Sequence, residues 1–295
     1  MLRISQIKCP INHTKEQLFL ALLTKLKCRK EEVLTWQIAK RSLDARKKTE
    51  LFYSYILLAG CRNEEKLLKK FRGNPDITKD TARTFRFQVT GDIPLKKRPV
   101  IVGTGPAGLF CALELAKAGF RPVLLERGKD VERRSADVEA FWDSGALQEN
   151  SNVQFGEGGA GTFSDGKLNT LVKDKYGRNI HVLKTFVEFG AKESILYDQK
   201  PHIGTDALKE IIKKMRLKII ALGGDVRFSE TEADSMEHTA EKRDLRSIES
   251  NNAGTKAEPS SADGKPAEKQ RKISAVEING KEWLETEILV LAIGH

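Results

Sequence analysis

The sequence predicts an α/β chain built on a parallel sheet, preceded by a small α+β region. Three observations carry that prediction. Residues 98–128, RPVIVGTGPAGLFCALELAKAGFRPVLLERG, read as strand, glycine turn, helix and strand in succession. Residues 1–90 alternate short apolar strands with two amphipathic helices. Residues 287–294, EILVLAIG, form a nearly continuous apolar run ending in glycine.

In chain order, Leu2–Ile7 alternates as a strand, and Thr14–Leu26 places Leu18, Leu22, Leu23 and Leu26 on one helical face. Val33–Ala39 and Leu51–Leu57 alternate again, and Asn63–Phe71 is helical. The order β-α-β-β-α-β suggests a ferredoxin-like pattern, a fold that hosts many functions and so says little about this one. The charged run Asp44–Lys48 reads as a hairpin tip in preference to a binding loop. The domain division expected is 1–92 and 93–295.

The next unit carries the chemistry. Val100-Ile101-Val102 is a short buried strand, and Gly103-x-Gly105-x-x-Gly108 turns it into a helix. Pro106 falls in the first helical turn, where its missing N–H costs nothing. Gly103 makes the tight turn, Gly105 lets backbone approach a pyrophosphate, and Gly108 lets helix pack on strand. A second strand, Pro122–Leu125, delivers Glu126, a carboxylate placed to accept hydrogen bonds from ribose hydroxyls. Strand, helix, second strand and acid together make a Rossmann-like dinucleotide-binding unit, which a lone glycine triplet would not. Glu126 would repel a 2′-phosphate, so the expected ligand is FAD or NAD rather than NADP.

A helix is expected over Lys129–Trp142, then a glycine-rich loop, NVQFGEGGAGTFSDG, over 152–166. Phe155 and Phe163 interleave its glycines, which favours ligand contact over a plain flexible loop. It is not a Walker A loop, because Thr162-Phe163 stands where Lys-Ser/Thr would be. Thr205 or Asp206 is expected to cap a helix whose Leu208, Ile211, Ile212, Met215, Ile219 and Leu222 form a stripe. Val226–Phe228 is a strand. Residues 232–271 are polar and without aromatics, and are read as a disordered insertion. Ile273–Ile278 and Trp283–Glu285 flank Asn279-Gly280 as a hairpin. The closing LVLAIG strand is expected at the centre of the sheet.

Composition narrows the function further. The 295 residues contain no apolar run near the roughly 20 needed to cross a bilayer, and the N-terminus lacks a signal-peptide core. Cys9, Cys28, Cys61 and Cys111 are scattered without metal-ligand spacing. A cytoplasmic protein with reduced thiols and no metal is expected, with no membrane partner. Residues 1–98 hold 23 Lys and Arg against 10 Asp and Glu, a net of +13 within a chain of +10. A solvated basic face is favoured over a nucleic-acid surface, because stacking aromatics are sparse.

These segments in this order resemble the FAD-dependent two-dinucleotide-binding-fold flavoproteins: GxGxxG with Glu126, helix–Gly-Gly–strand, a β-meander, and the LVLAIG strand. The loop NVQFGEGGAGTFSDGKL with the basic N-terminal domain is similar, more narrowly, to uncharacterised FAD-dependent dehydrogenases of bacteria. The resemblance implies FAD as cofactor and an unidentified small-molecule substrate or acceptor; NAD(P)H is one option for the electron donor, with no site for it seen in this chain. It implies that Gly103, Gly105, Pro106 and Gly108 hold the pyrophosphate, Glu126 the ribose, and that Arg127 lies near the adenine. Gly158, Gly159 and Gly161 would face the pyrophosphate or flavin, and Gly294 the close approach after LVLAIG. No catalytic side chain carries over. His202 is the best candidate for proton transfer, although shaping a loop is its stronger reading. Members of the family extend past LVLAIG, so the chain is expected to be an N-terminal fragment. The rival readings are an RNA-modifying flavoenzyme and a non-enzymatic flavin- or NAD-binding regulatory module.

Overall fold

The computed structural model describes residues 1–47, 50–168, 170, 172–228 and 273–294. In chain order the elements are β1 (Leu2–Pro10), α1 (Lys15–Leu26), β2 (Val33–Lys47), β3 (Glu50–Cys61), α2 (Glu64–Lys70) and β4 (Ile77–Lys79). Then come β5 (Val100–Val102), α3 (Pro106–Lys117), β6 (Val123–Glu126), α4 (Val131–Ser144), α5 (Arg178–Glu188) and α6 (Thr205–Ala221). The last are β7 (Asp225–Phe228), β8 (Ala275–Ile278), β9 (Glu282–Glu285) and β10 (Leu289–Leu291). The chain forms two compact units, 1–86 with 165–208, and 87–164 with 209–295. This differs from a break at 92/93, because residues 165–208 return to the first unit.

In that unit β1 to β4 form an antiparallel sheet of order β2-β3-β1-β4. The inward residues of β1 change parity, from Leu2 and Ile4 to Ile7 and Cys9. A bulge between Ile4 and Ile7, with Gln6 at φ 57°, absorbs the extra residue and keeps every apolar side chain on the core face. The core joins these to Leu18, Leu22 and Leu26 of α1 and to Tyr55, Leu57 and Ala59 of β3. Thr14 starts α1 with a capping box: its hydroxyl accepts from Gln17 N–H, and the Gln17 side chain accepts from Thr14 N–H. The ladder of β2 and β3 continues through Asp44 to Lys47, opposite Glu50, so residues 44–47 of the run expected as a tip are strand, and Lys48 lies outside the described residues.

Residues 165–208 attach through Arg41, which forks onto Asp198 at 2.7 and 3.0 Å and lies over the rings of Tyr53 and Tyr197. Helix α5 is not among the elements expected from the sequence, although Ile180, Leu183 and Val187 recur at helical spacing; of its residues only Thr185 is fully buried.

The second unit holds a parallel sheet of order β10-β5-β6-β7. Its strands pair in register, with Val100 between Leu289 and Val123. Helix α3 buries Leu109, Ala112, Leu113 and Ala116, and α6 buries Ile211, Ile212, Met215 and Ile219. That helix begins at Thr205, so Thr205 and Asp206 lie in its first turn and do not precede it as caps. Among the described residues β10 is an edge strand, with Leu291 53% exposed, which corrects the central position expected for it. The hairpin β8–β9 forms with Asn279 and Gly280 both at positive φ, as a type I′ turn requires. It is a two-stranded sheet. The polar segment 232–271 lies outside the described residues.

Candidate functional site

The site is built where β5 ends. Leu125 O accepts from Gly103 N–H at 2.7 Å, and Gly103 then turns at φ 101°. A β-carbon on Gly103 would lie 2.5 Å from the Ala292 carbonyl oxygen, so the segment after β10 closes on the turn. A β-carbon on Gly108 would press into the carbonyl of Gly103, 2.9 Å from its carbon. Gly105, the N-cap of α3, is different: apart from its chain neighbours, no heavy atom lies within 4 Å of where its β-carbon would be. Pro106 is the first helical residue. The remaining N–H groups of that turn have no partner inside the helix and carry its positive end, the arrangement that holds phosphates.

Glu126 ends β6. Its Oε2 accepts from Thr104 N–H at 2.8 Å and from the Thr104 hydroxyl at 2.7 Å, and Oε1 accepts from Gly128 N–H at 2.8 Å. A carboxylate offers about four acceptor positions, so three donors leave room for one more. Glu126 therefore also braces the turn in the ligand-free protein. Arg127 is exposed, with its guanidinium 4.3 Å from the centre of the Phe155 ring.

The glycine loop lies against this turn. Gly158 N–H donates to Thr104 O at 2.9 Å, and a β-carbon on Gly159 would touch Pro106 Cδ at 3.0 Å. Gly158 sits at φ 85° with Ile212 Cδ1 2.5 Å from its β-carbon position. Gly161 is exposed with open space around it. Gly294 is exposed at φ 73°, two residues past Ala292. Gly103, Gly105, Pro106, Gly108, Glu126, Gly158 and Gly159 are thus brought together. His202 belongs to the other unit, where it is exposed and bridged to Lys167.

Two buried ionisable residues of the site are missed by the sequence reading. Arg134 of α4 is wholly buried and binds loop carbonyls. Burial pulls its guanidinium down to about 10, against the opposing pull of Glu126 and Glu157. Glu157, also wholly buried, accepts from Val131 N–H at 2.8 Å. Its other oxygen faces Arg216 Nε at 3.3 Å by charge alone, since neither atom has a hydrogen-bond partner. Burial pushes its carboxyl up to about 7, with Arg216 and the Val131 N–H pulling the other way. A signal for Arg134 does exist, because it occupies the inward stripe of α4 between Val131 and Val138.

Comparison with known proteins supports the geometry. Residues 101–145 match the NAD(P)-binding Rossmann-like domain family. This segment is of the dinucleotide-binding type. Residues 1–59 match a family described as a domain of unknown function (DUF8436). The chain is 38% identical over 294 residues to an uncharacterized protein of Clostridium beijerinckii (strain ATCC 51743 / NCIMB 8052), covering 100% of this chain and 49% of that protein. The chain spans about half the length of that relative. No helix among the described residues is long and apolar enough to cross a membrane, and they contain no group of His, Cys, Asp and Glu suited to a metal.

Proposed function

We propose that this chain is the FAD-binding part of a cytoplasmic oxidoreductase, a dehydrogenase that takes electrons from a small-molecule substrate or from NAD(P)H. The observation that carries the reading is the open space over Gly105 at the positive end of α3, with Glu126 at the neighbouring strand end and the glycine loop beside both. A dinucleotide fits these groups: Gly103, Gly105, Pro106 and Gly108 hold the pyrophosphate, and Glu126 accepts from the ribose. Arg127 lies toward the adenine, while Gly158, Gly159, Gly161 and Gly294 give backbone room beside the pyrophosphate and flavin. When bound, the flavin supplies the hydride and electron chemistry. The residues of this chain bind it, orient it and bring the N–H groups of α3 to its phosphates.

FAD is favoured over NADP because a carboxylate at position 126 disfavours a 2′-phosphate. The first unit is read as ferredoxin-like, from its element order and its sheet order β2-β3-β1-β4. The test is an absorption spectrum of the purified protein with the released cofactor identified by mass. Flavin bands and released FAD support the reading. Binding of NAD without flavin would replace FAD while leaving the dinucleotide site in place.

A further inference from the structure

Arg134 has no part in the reading above, yet it is among the largest wholly buried side chains of the described residues. Its Nε donates to Asn152 O at 2.8 Å and its Nη2 to Val153 O at 2.9 Å. Its Nη1 donates to the carbonyls of Gly156, Glu157 and Gly159 at 3.2, 2.6 and 3.0 Å. All five acceptors are backbone groups of the glycine loop, and the Phe163 ring lies 4.8 Å from the guanidinium.

Burying a guanidinium costs several kcal/mol unless its donors are satisfied. A leucine or methionine would fill the volume but remove the donor that Arg134 gives to the carbonyls of Asn152, Val153 and Glu157, while those of Gly156 and Gly159 keep a backbone N–H. Loop and arginine specify each other, because a β-carbon on Gly156 would lie 2.6 Å from Arg134 Cδ. The consequence follows from peptide planarity. In a trans peptide each carbonyl points opposite to the N–H of the next residue. Turning the carbonyls of Gly156, Glu157 and Gly159 toward Arg134 therefore turns the N–H groups of Glu157, Gly158 and Ala160 away from it. The first reaches Lys129 O at 3.1 Å, and the second ties the loop to the nucleotide turn through Thr104 O. The third belongs to Ala160, which is exposed beside Gly159, where the loop touches Pro106.

We propose that Arg134 is a positioning residue for the dinucleotide: it fixes the peptide planes of residues 156–160 so that the loop seats on the Gly103–Gly108 turn and presents the Ala160 N–H to the ligand. It acts through the loop and makes no ligand contact of its own. The inference rests on the dinucleotide reading.

The test uses the purified 295-residue chain, Arg134→Met, which removes charge and donors, and Arg134→Lys, which keeps the charge but cannot reach five carbonyls. FAD and, separately, NAD are titrated into each, with hydrogen exchange of the ligand-free proteins followed by residue. Losing a backbone N–H bond to a charged phosphate lowers affinity by roughly 10- to 100-fold. Arg134→Met should raise the FAD dissociation constant by up to about 100-fold, and Arg134→Lys by about tenfold. The amide of Gly158 should exchange faster in both variants, while those of Ile101 and Leu124 stay protected. That pattern separates positioning from general destabilisation, which would expose all three amides. A folded Arg134→Met with wild-type FAD affinity overturns the inference and leaves the dinucleotide reading standing. If Arg134→Met does not fold, wild-type affinity in Arg134→Lys overturns it equally. A wild-type chain that binds neither FAD nor NAD sinks the dinucleotide reading, and the inference with it.

Discussion

Two glycine-rich segments meet at the site, and they use their glycines differently. In the Gly103–Gly108 turn, the protein's own backbone forbids a side chain at two positions: Ala292 O crowds Gly103, and the Gly103 carbonyl crowds Gly108. Over residues 156–159 of the loop, side chains do the crowding: Arg134 against Gly156, Ile212 and Thr162 against Gly158, Pro106 against Gly159; only at the loop's end does backbone intervene, where Gly166 meets the Ile203 carbonyl. Each segment also has one glycine, Gly105 and Gly161, with open space and no left-handed backbone to explain it. The comparison separates glycines that the fold needs from those left free for a ligand, a distinction that the spacing of a motif cannot make.

The largest effect expected from that division is at Gly108. Gly108→Ala drives a methyl into a backbone carbonyl that cannot swing away, so the unit should lose about 3 kcal/mol or more of stability in urea denaturation. An unchanged midpoint would mean that α3 can slide on β5. Gly158→Ala meets the flexible end of Ile212 as well as a left-handed backbone, and should cost about 1–3 kcal/mol. Repacking of Ile212 with no loss would place the loop among the tolerant elements.

Glu126 sharpens the contrast from the side-chain end. Removing a carboxylate that holds two backbone N–H groups and a hydroxyl should destabilise the ligand-free protein by about 1–3 kcal/mol in Glu126→Ala. Equal stability of variant and wild type would show that water replaces the carboxylate without loss.

The last effect is of a different kind, the pH dependence carried by Glu157. Its carboxyl titrates near 7 in the folded chain, above the ordinary carboxylate value of about 4.3. Between these values the folded state holds a proton that the unfolded state has released. This group's contribution to stability is therefore full below about pH 4.3 and is lost as pH rises toward 7. Glu157→Gln, which mimics the protonated form, should flatten that fall. Stability curves for wild type and Glu157→Gln that decline in parallel from about pH 5 to about 7.5 would contradict it.

The sequence makes the nucleotide turn legible because each local signal there agrees with the tertiary structure: strand, glycine spacing, Pro106, small residues on the inner face of α3, and Glu126 at the next strand end. The same holds for the capping box at Thr14. Other features depend on contacts between distant residues. The apolar continuity of 289–291 suggests a strand buried on both sides, yet the described chain leaves β10 at an edge. Residues 165–208 read as a continuation of the second domain, but Arg41 and Asp198, 157 positions apart, bind them to the first unit. The stripe of α4 marks Arg134 as inward between Val131 and Val138, but not the loop carbonyls that it satisfies there.

The central claim is that the space over Gly105 belongs to a dinucleotide, and the most direct measurement is FAD affinity in Gly105→Ala beside its thermal stability. An alanine there meets no protein atom and loses only the glycine's modest advantage as an N-cap, so stability should fall by no more than about 1 kcal/mol. FAD binding should drop by at least about tenfold, because the methyl takes the space that the pyrophosphate needs. Undiminished FAD binding in a fully folded Gly105→Ala would contradict the account and move the ligand away from this turn.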